Sequence, residues 1–177
     1  MNDPESSLQA RASGIGSDTA TVAATWRASE AWRVDAGMGF GRFDDGNRRR
    51  WGSLSLEGRI AAHQGMVASG FASLYASANT LADAAYFNPR HDLTLEGGVV
   101  WGRRGPAGSW QSLRPSVALY RQAGFDTFAI PRVGYSMRFP LGSLRWWQWE
   151  IGGARPVYDG RRETYWSVAV SHGWGSL

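Results

Sequence analysis

Three histidines, His63, His91 and His172, are the first residues to test for chemistry, since imidazole serves both as a proton carrier and as a metal ligand. They stand far apart and form no His-Glu-x-x-His or paired-ligand spacing, so no metal site is expected. Cysteine is absent, which removes disulfides, Cys-ligated zinc and thiol nucleophiles together. There is no Gly-x-Ser-x-Gly elbow and no phosphate-binding loop. Gly37-Met38-Gly39-Phe40-Gly41 imitates a dinucleotide loop, but no helix follows it, and small residues on one face of a strand account for it. The carboxylates Glu57, Glu96, Glu150 and Asp92 are more informative. Two acids about 5–10 Å apart can hydrolyse a glycosidic bond. Spacing alone brings no two of these together, and the favoured reading is charges that pair with Arg33, Arg59, Arg114 and Arg138 on a shared face. Neither catalysis nor a cofactor is expected.

That shared face follows from the elements that carry these residues. Apolar positions recur two apart between turn signals, the period of a strand. Trp32, Val34, Ala36, Met38 and Phe40 alternate with Arg33, Asp35 and glycines; Leu54, Leu56 and Ile60 with Ser55, Glu57 and Arg59; Leu93, Leu95, Val99 and Trp101 with Asp92, Thr94, Glu96 and Gly98. The pattern repeats around Leu113, Val117 and Leu119, around Val133, Tyr135 and Met137, and around Trp147, Trp149 and Ile151, and ends with Trp166, Val168, Val170 and Trp174. The runs exceed the usual strand length of about five or six residues and match the about 9–11 residues of a tilted membrane-crossing strand. Aromatic residues near the run ends (Trp32, Phe40, Trp51, Trp101, Trp110, Phe139, Trp146, Trp166, Trp174) read as interfacial girdles. The second face mixes both signs of charge with Gly and Ser, as a watery lumen requires. On it fall Glu57, Glu96, Glu150, Asp92 and Arg114, with Tyr75, Tyr120 and Tyr165 as stacking surfaces.

Composition agrees. The 177 residues include 23 Gly, 10 Trp, 6 Tyr and 7 Phe, and all 19 basic residues are arginine. A net charge of +4 invites a nucleic-acid reading, but the arginines are scattered among 15 acids and the one cluster, Arg48-Arg49-Arg50, adjoins the turn Asp44-Asp45-Gly46-Asn47. No nucleic-acid partner is expected. Residues 1–20 hold no continuous apolar run and do not read as a signal peptide. The run from Ile60 to Ala82 is too polar for a membrane helix.

The fold expected is all-β, an antiparallel up-and-down transmembrane barrel or part of one, with about ten strands. They are placed at 7–14 (the weakest), 19–28, 31–41, 48–60, 65–76, 91–103, 108–121, 126–139, 144–156 and 163–174, with residues 1–6 disordered. Short turns at 28–31, 61–65, 103–108 and 139–144 then lie in the periplasm, and 42–47, 77–90, 121–126 and 157–162 outside. Two places resist. Residues 70–86 also fit helical spacing, although Gly70 and Asn88-Pro89 favour strand then loop. The parity change between Ile130 and Val133 predicts a β-bulge at Pro131.

Two segments go beyond patterning. Tyr86-Phe87-Asn88-Pro89-Arg90-His91-Asp92 opens one strand, and Arg155-Pro156-Val157-Tyr158-Asp159-Gly160-Arg161-Arg162-Glu163 precedes the last, with Gly134-Tyr135 between. In this order they resemble the C-terminal barrel of the poly-β-1,6-N-acetylglucosamine (PNAG) export porins, over roughly 65–174. The resemblance implies a bacterial outer-membrane channel that passes a biofilm exopolysaccharide passively through its lumen, surrounded by outer-membrane lipid and inserted by the barrel-assembly machinery. Its family loops here are Tyr86, Phe87, Asn88, Pro89, Tyr158, Asp159, Gly160, Arg161 and Glu163. In that family tetratricopeptide repeats precede a larger barrel; no such repeats occur in this sequence, and the whole of 1–177 is expected to be the C-terminal portion of one. Two other readings remain: another outer-membrane barrel (a cellulose-type export channel, or a small structural or enzymatic one), and a soluble all-β carbohydrate-binding domain.

Overall fold

A computed structural model describes residues 14–81, 89–142, 145–158 and 161–174. Within them the chain forms β1 (Ser17–Arg27), β2 (Trp32–Phe43), β3 (Arg48–His63), β4 (Met66–Asn79), β5 (His91–Arg104), β6 (Trp110–Gln122), β7 (Phe128–Pro140), β8 (Arg145–Ala154), β9 (Val157–Tyr158), β10 (Arg161–Arg162) and β11 (Tyr165–Trp174). Strands β1–β8 and β11 build one nine-stranded sheet, each paired antiparallel with its neighbour in the chain, β11 taking its place beside β8. The short β9–β10 ribbon decorates the connection between those two. Every expected strand from 19–28 onward is present, with ends moved by a few residues. The expected strand at 7–14 (apart from Gly14) and the disorder at 1–6 lie outside the described residues. The ambiguous stretch from 70 is strand as far as Asn79.

Register assigns the two faces. Cross-strand partners such as Val34↔Leu56, Leu54↔Leu74, Leu95↔Leu119 and Tyr135↔Ile151 share one side, and it is apolar and open: Met38 is 66% exposed and Val168 69%. Arg33↔Glu57, Ser53↔Tyr75, Thr94↔Tyr120 and Ser136↔Glu150 share the other. Here side chains crowd one another. Phe71, Ala118 and Ile130 are buried, as are Ser69, Ser77, Ser116 and Gln122. Side chains converge on the concave side of a curved sheet and diverge on the convex one, so the polar face is the inner face.

Two expectations are corrected. No bulge occurs at Pro131: the β6–β7 ladder runs without a shift from Tyr120↔Phe128 to Trp110↔Arg138, with Pro131 opposite Val117. Phe128 and Ile130 simply face inward, where Ile130 packs against Ala118. The irregularity of β3–β4 lies between Arg59 and Ala61, where Ile60 is the extra residue. Nor do all the run-end aromatics face outward. Trp51, Trp110 and Trp146 lie on the inner face, over Gly39, Gly102 and Gly173. Trp32 and Trp166 cover Gly58 and Gly153 on the outer face, where an added Cβ would come within 2.6 and 2.5 Å of the respective rings. A strand glycine leaves a hole in the pleated surface, and a neighbouring indole fills it.

Connections alternate between the two ends of the sheet. Residues 28–31, 64–65, 105–109 and 141–144 join strands at one end; 44–47, 80–90, 123–127 and 155–164 join them at the other, hereafter the loop end. Both family-motif segments lie at the loop end. Tyr86, Phe87, Asn88, Asp159 and Gly160 fall outside the described residues; the Pro89 carbonyl accepts from Asn79 Nδ2 (2.8 Å), Tyr158 pairs with Arg161, and Glu163 N donates to the Pro156 carbonyl (3.1 Å).

One buried side chain fastens this end. The β2–β3 turn is set by Gly46 (φ 87°) and by Asp45 Oδ1, which accepts from Asn47 N at 2.9 Å. Asn47 is fully buried. Its Oδ1 accepts from the backbone N–H of Thr80 and Leu81, both at 3.1 Å, and its Nδ2 donates to Asn79 Oδ1 at 3.2 Å. Asn47→Ala removes the acceptor for both amides and is expected to cost about 1–3 kcal/mol, read as a lower urea midpoint for unfolding from lipid vesicles. Asn47→Asp, which keeps the acceptor, should lose less.

Candidate functional site

The inner face is a wall of short polar residues interrupted by fixed charges. Each of the eight side chains expected to guide a polymer lies on it: Glu57 on β3, Tyr75 on β4, Asp92 and Glu96 on β5, Arg114 and Tyr120 on β6, Glu150 on β8 and Tyr165 on β11. They do not converge. Alternation sends them all inward, but their different depths along the strands spread them from one rim to the other.

The centre of the wall is the most tightly built. Glu96 Oε2 lies 2.6 Å from Arg132 Nη1, and Glu96 Oε1 accepts from Ser116 Oγ at 2.7 Å. The pair reaches diagonally across β6 because the intervening positions, Ala118 and Ser116, are small. Beside it the Arg114 guanidinium stacks 3.6 Å from the centroid of Phe71. Phe71 itself lies over Gly98, its cross-strand partner. Near the loop end, Tyr75 Oη accepts from Arg49 Nη2 at 2.9 Å and Asp92 accepts from Ser77 Oγ. Tyr120 Oη lies 3.4 Å from Gln122 Oε1.

Other groups keep their polar ends toward open space. Glu150 accepts from Gln148, which also receives Arg138 Nε at 2.6 Å, yet it stays exposed. Tyr165 is 58% exposed. Two recesses open between these groups. One of about 420 Å³ is lined by Ser112, Arg114, Gly134, Ser136, Glu150 and Ser167; the other, about 530 Å³ at the short-turn end, by Arg27, Glu30, Arg33, Glu57, Arg59 and Ser69. Both are open to solvent and mix donors with acceptors. Hydrogen bonding to hydroxyl and amide groups is within their reach. No group of three or more His, Asp or Glu able to hold a metal occurs among the described residues.

Such an arrangement, apolar outside and polar within, suits a barrel wall in lipid. Over residues 3–173 the sequence matches the family described as "PgaA membrane beta barrel domain". The chain belongs to that family. It is accordingly a protein of the bacterial outer membrane. No curated protein sequence matches it. Among solved structures, a "bacterial polysaccharide outer membrane secretin" is similar, with a TM-score of 0.89 at 21% identity, over 99% of this chain and 62% of that one. The chain thus spans about three fifths of that protein's length. At this identity the likeness concerns the fold, and it places the PgaA-family sheet within a porin-like barrel.

Phe71, Arg132 and Ser116 were not expected as site residues from the sequence, and the inner tryptophans Trp51, Trp110 and Trp146 were expected in the interfacial girdles. Phe71 was hidden in a stretch that also fits a helix, and Arg132 beside the expected bulge. A signal was available for Phe71: its even-spaced partners Ser69, Ser73, Tyr75 and Ser77 are polar, so an aromatic there must lie on the polar side.

The packing of this centre separates two glycines. A Cβ on Gly98 would meet the Pro115 carbonyl oxygen at 2.5 Å and the Ser116 Cβ at 2.7 Å, whereas on Gly134 the nearest atom would be Arg114 Cβ at 3.9 Å. Gly98→Ala is expected to destabilise by about 1–3 kcal/mol, and Gly134→Ala to leave the urea midpoint close to that of the parent. Equal midpoints for the two variants would contradict this packing.

Proposed function

We propose that the chain forms part of the wall of an outer-membrane channel through which an exopolysaccharide of the poly-N-acetylglucosamine type leaves the cell by passive passage. The observation that carries the reading is the sorting of the sheet. One face offers lipid a nearly uninterrupted apolar surface, and all eight expected guide residues share the other. That inner face holds hydrogen-bonding groups and rings in shallow, open recesses. Conduction needs contacts favourable enough to admit a polymer and weak enough to release it. Small serines and half-solvated carboxylates supply contacts of that strength. The chain acts as one portion of a larger barrel, and the barrel-assembly machinery inserts it.

Within this reading the wall divides its labour. Glu96 is held by Arg132 and Ser116 and serves to keep the wall in shape. Glu57, half-buried opposite Arg33, and Glu150, exposed at the central recess, are the carboxylates left to meet the polymer, with Tyr165 offering a ring face.

Replacing Glu57 and Glu150 by Gln in the secreting cell is expected to lower polymer release several-fold with the barrel still inserted. Glu96→Gln should instead lower the amount of folded barrel, because it leaves Arg132 without its counter-charge. Secreted polymer, normalised to heat-modifiable barrel on a gel, tests both. Undiminished secretion by the Glu57→Gln/Glu150→Gln variant would sink the guiding role.

A further inference from the structure

The lumen does not account for a set of charges on the opposite side of the β2–β3 hairpin. Arg42 faces Arg48 across the ladder, and Arg50 is the next outward residue on β3, facing Phe40. All three are exposed. Among the described residues none of their side chains has a hydrogen bond or ion pair. Like charges directly opposite, with Cβ atoms about 4.5–5.5 Å apart, repel and destabilise a ladder. Among the nearby acids only Asp18, directly opposite Arg42 on β1, offsets part of that repulsion across the ladder. Asp44 accepts from Gly16 N at 3.0 Å and Asp45 from Asn47 N at 2.9 Å, while Asp18 makes no ion pair among the described residues.

One row deeper in the outer face lies an apolar groove of about 440 Å³, floored by Ala36, Gly52 and Ala76 and walled by Val22, Met38 and Leu54. Its upper row, Met38↔Gly52↔Ala76, is the outward row next to Phe40↔Arg50↔Ala78. An open apolar groove therefore ends beneath three unpaired guanidinium groups, on a surface that faces lipid. We propose that this surface binds one phosphate-bearing membrane lipid, with its phosphate among Arg42, Arg48 and Arg50 and an acyl chain in the groove.

The chemistry fits both ends of such a ligand. Guanidinium forks match phosphate oxygens in bidentate fashion, and a shared phosphate turns the Arg42–Arg48 repulsion into attraction. Basic groups at the membrane boundary attract anionic headgroups. The opposite rim is built differently. There the outward residues include Trp26, Trp32, Phe139, Trp147 and Trp174, suited to a neutral interface, and the arginines Arg103 and Arg145 lie on well-separated strands. The lipid therefore belongs to the loop end. The proposal requires only the lipid-facing sheet and is independent of what the lumen carries.

Native mass spectrometry of the full-length protein in a non-ionic detergent tests it, with phosphatidylglycerol as probe, diacylglycerol as its phosphate-free counterpart and inorganic phosphate as competitor. One phosphatidylglycerol should be retained, diacylglycerol should not, and equimolar inorganic phosphate should displace little of it. The variant Arg42→Gln/Arg48→Gln/Arg50→Gln should weaken retention about a hundredfold, while Arg103→Gln/Arg145→Gln should leave it unchanged. Gly52→Leu, whose side chain fills the groove, should also weaken it. Undiminished retention in the triple variant, equal retention of diacylglycerol, or full displacement by free phosphate would each overturn the proposal. If the triple variant fails to fold, Gly52→Leu decides, and parent-like retention there overturns it.

Discussion

Everything in this chain depends on the rule that backbone N–H and C=O groups find no water partners inside a lipid bilayer. Each must bond to a neighbouring strand, because an unpaired group in hydrocarbon costs several kcal/mol. Long unbroken ladders follow, such as the β1–β2 register from Ser17↔Phe43 to Arg27↔Arg33. So does strict alternation, since a strand that cannot leave the ladder can present its side chains only up or down. The apolar outer face and polar inner face are therefore two aspects of one constraint. The sheet tolerates departures only where another group closes the gap. At Pro115, which lacks an N–H, the β5–β6 ladder is interrupted between Gly98↔Ser116 and Trp101↔Leu113. Here Gly98 allows the strands to crowd together, and Phe71 seals the inner side.

The same constraint explains what could be read from the sequence. A period of two survives substitution of nearly any residue for another of like polarity, so the rows Leu54, Leu56 and Trp166, Val168, Val170 announced both the strands and their lipid side. Strand ends were legible where Gly, Asn or Asp mark a turn with positive φ, as at Gly46, Gly65, Gly124 and Gly142. Bulges were not. Ile60, the residue displaced from the β3–β4 register, has no chemical signature of displacement, whereas Pro131 has one and is not displaced. The difference lies in register, which is set by the turns and by neighbours on other strands and is not a property of one segment.

The candidate site was legible to the same degree. Which face each residue occupies follows from parity, and all eight expected guides lie on the face assigned to them. Who touches whom does not. Glu96 meets Arg132 two strands away, because Ala118 is small enough to be passed over and because β7 keeps its register through Pro131. Arg114 finds Phe71 across β5 because Gly98 vacates the space between. Each contact depends on a third residue whose contribution is a side chain that is small, as at Ala118, or absent, as at Gly98. The Trp–Gly pairs obey the same logic: Trp51 with Gly39 and Trp110 with Gly102 are cross-strand complements that no scan along one strand can reveal.

Strand parity also constrains how the sheet can close. With directions alternating along β1 to β8 and β11, the two edge strands of a nine-stranded sheet run the same way. Direct contact between β1 and β11 would be a parallel pairing, foreign to an up-and-down barrel. A second copy inserted in the same orientation meets the same obstacle at each junction, since its β1 also runs parallel to β11. Antiparallel closure thus requires an odd number of additional strands between the edges. Among the described residues the nine strands form an open sheet whose fold fits part of a barrel. The fixed contacts Glu96–Arg132 and Arg114–Phe71 sit at the middle of the sheet, on β4 to β7 and away from both edges, so they depend on none of the edge strands.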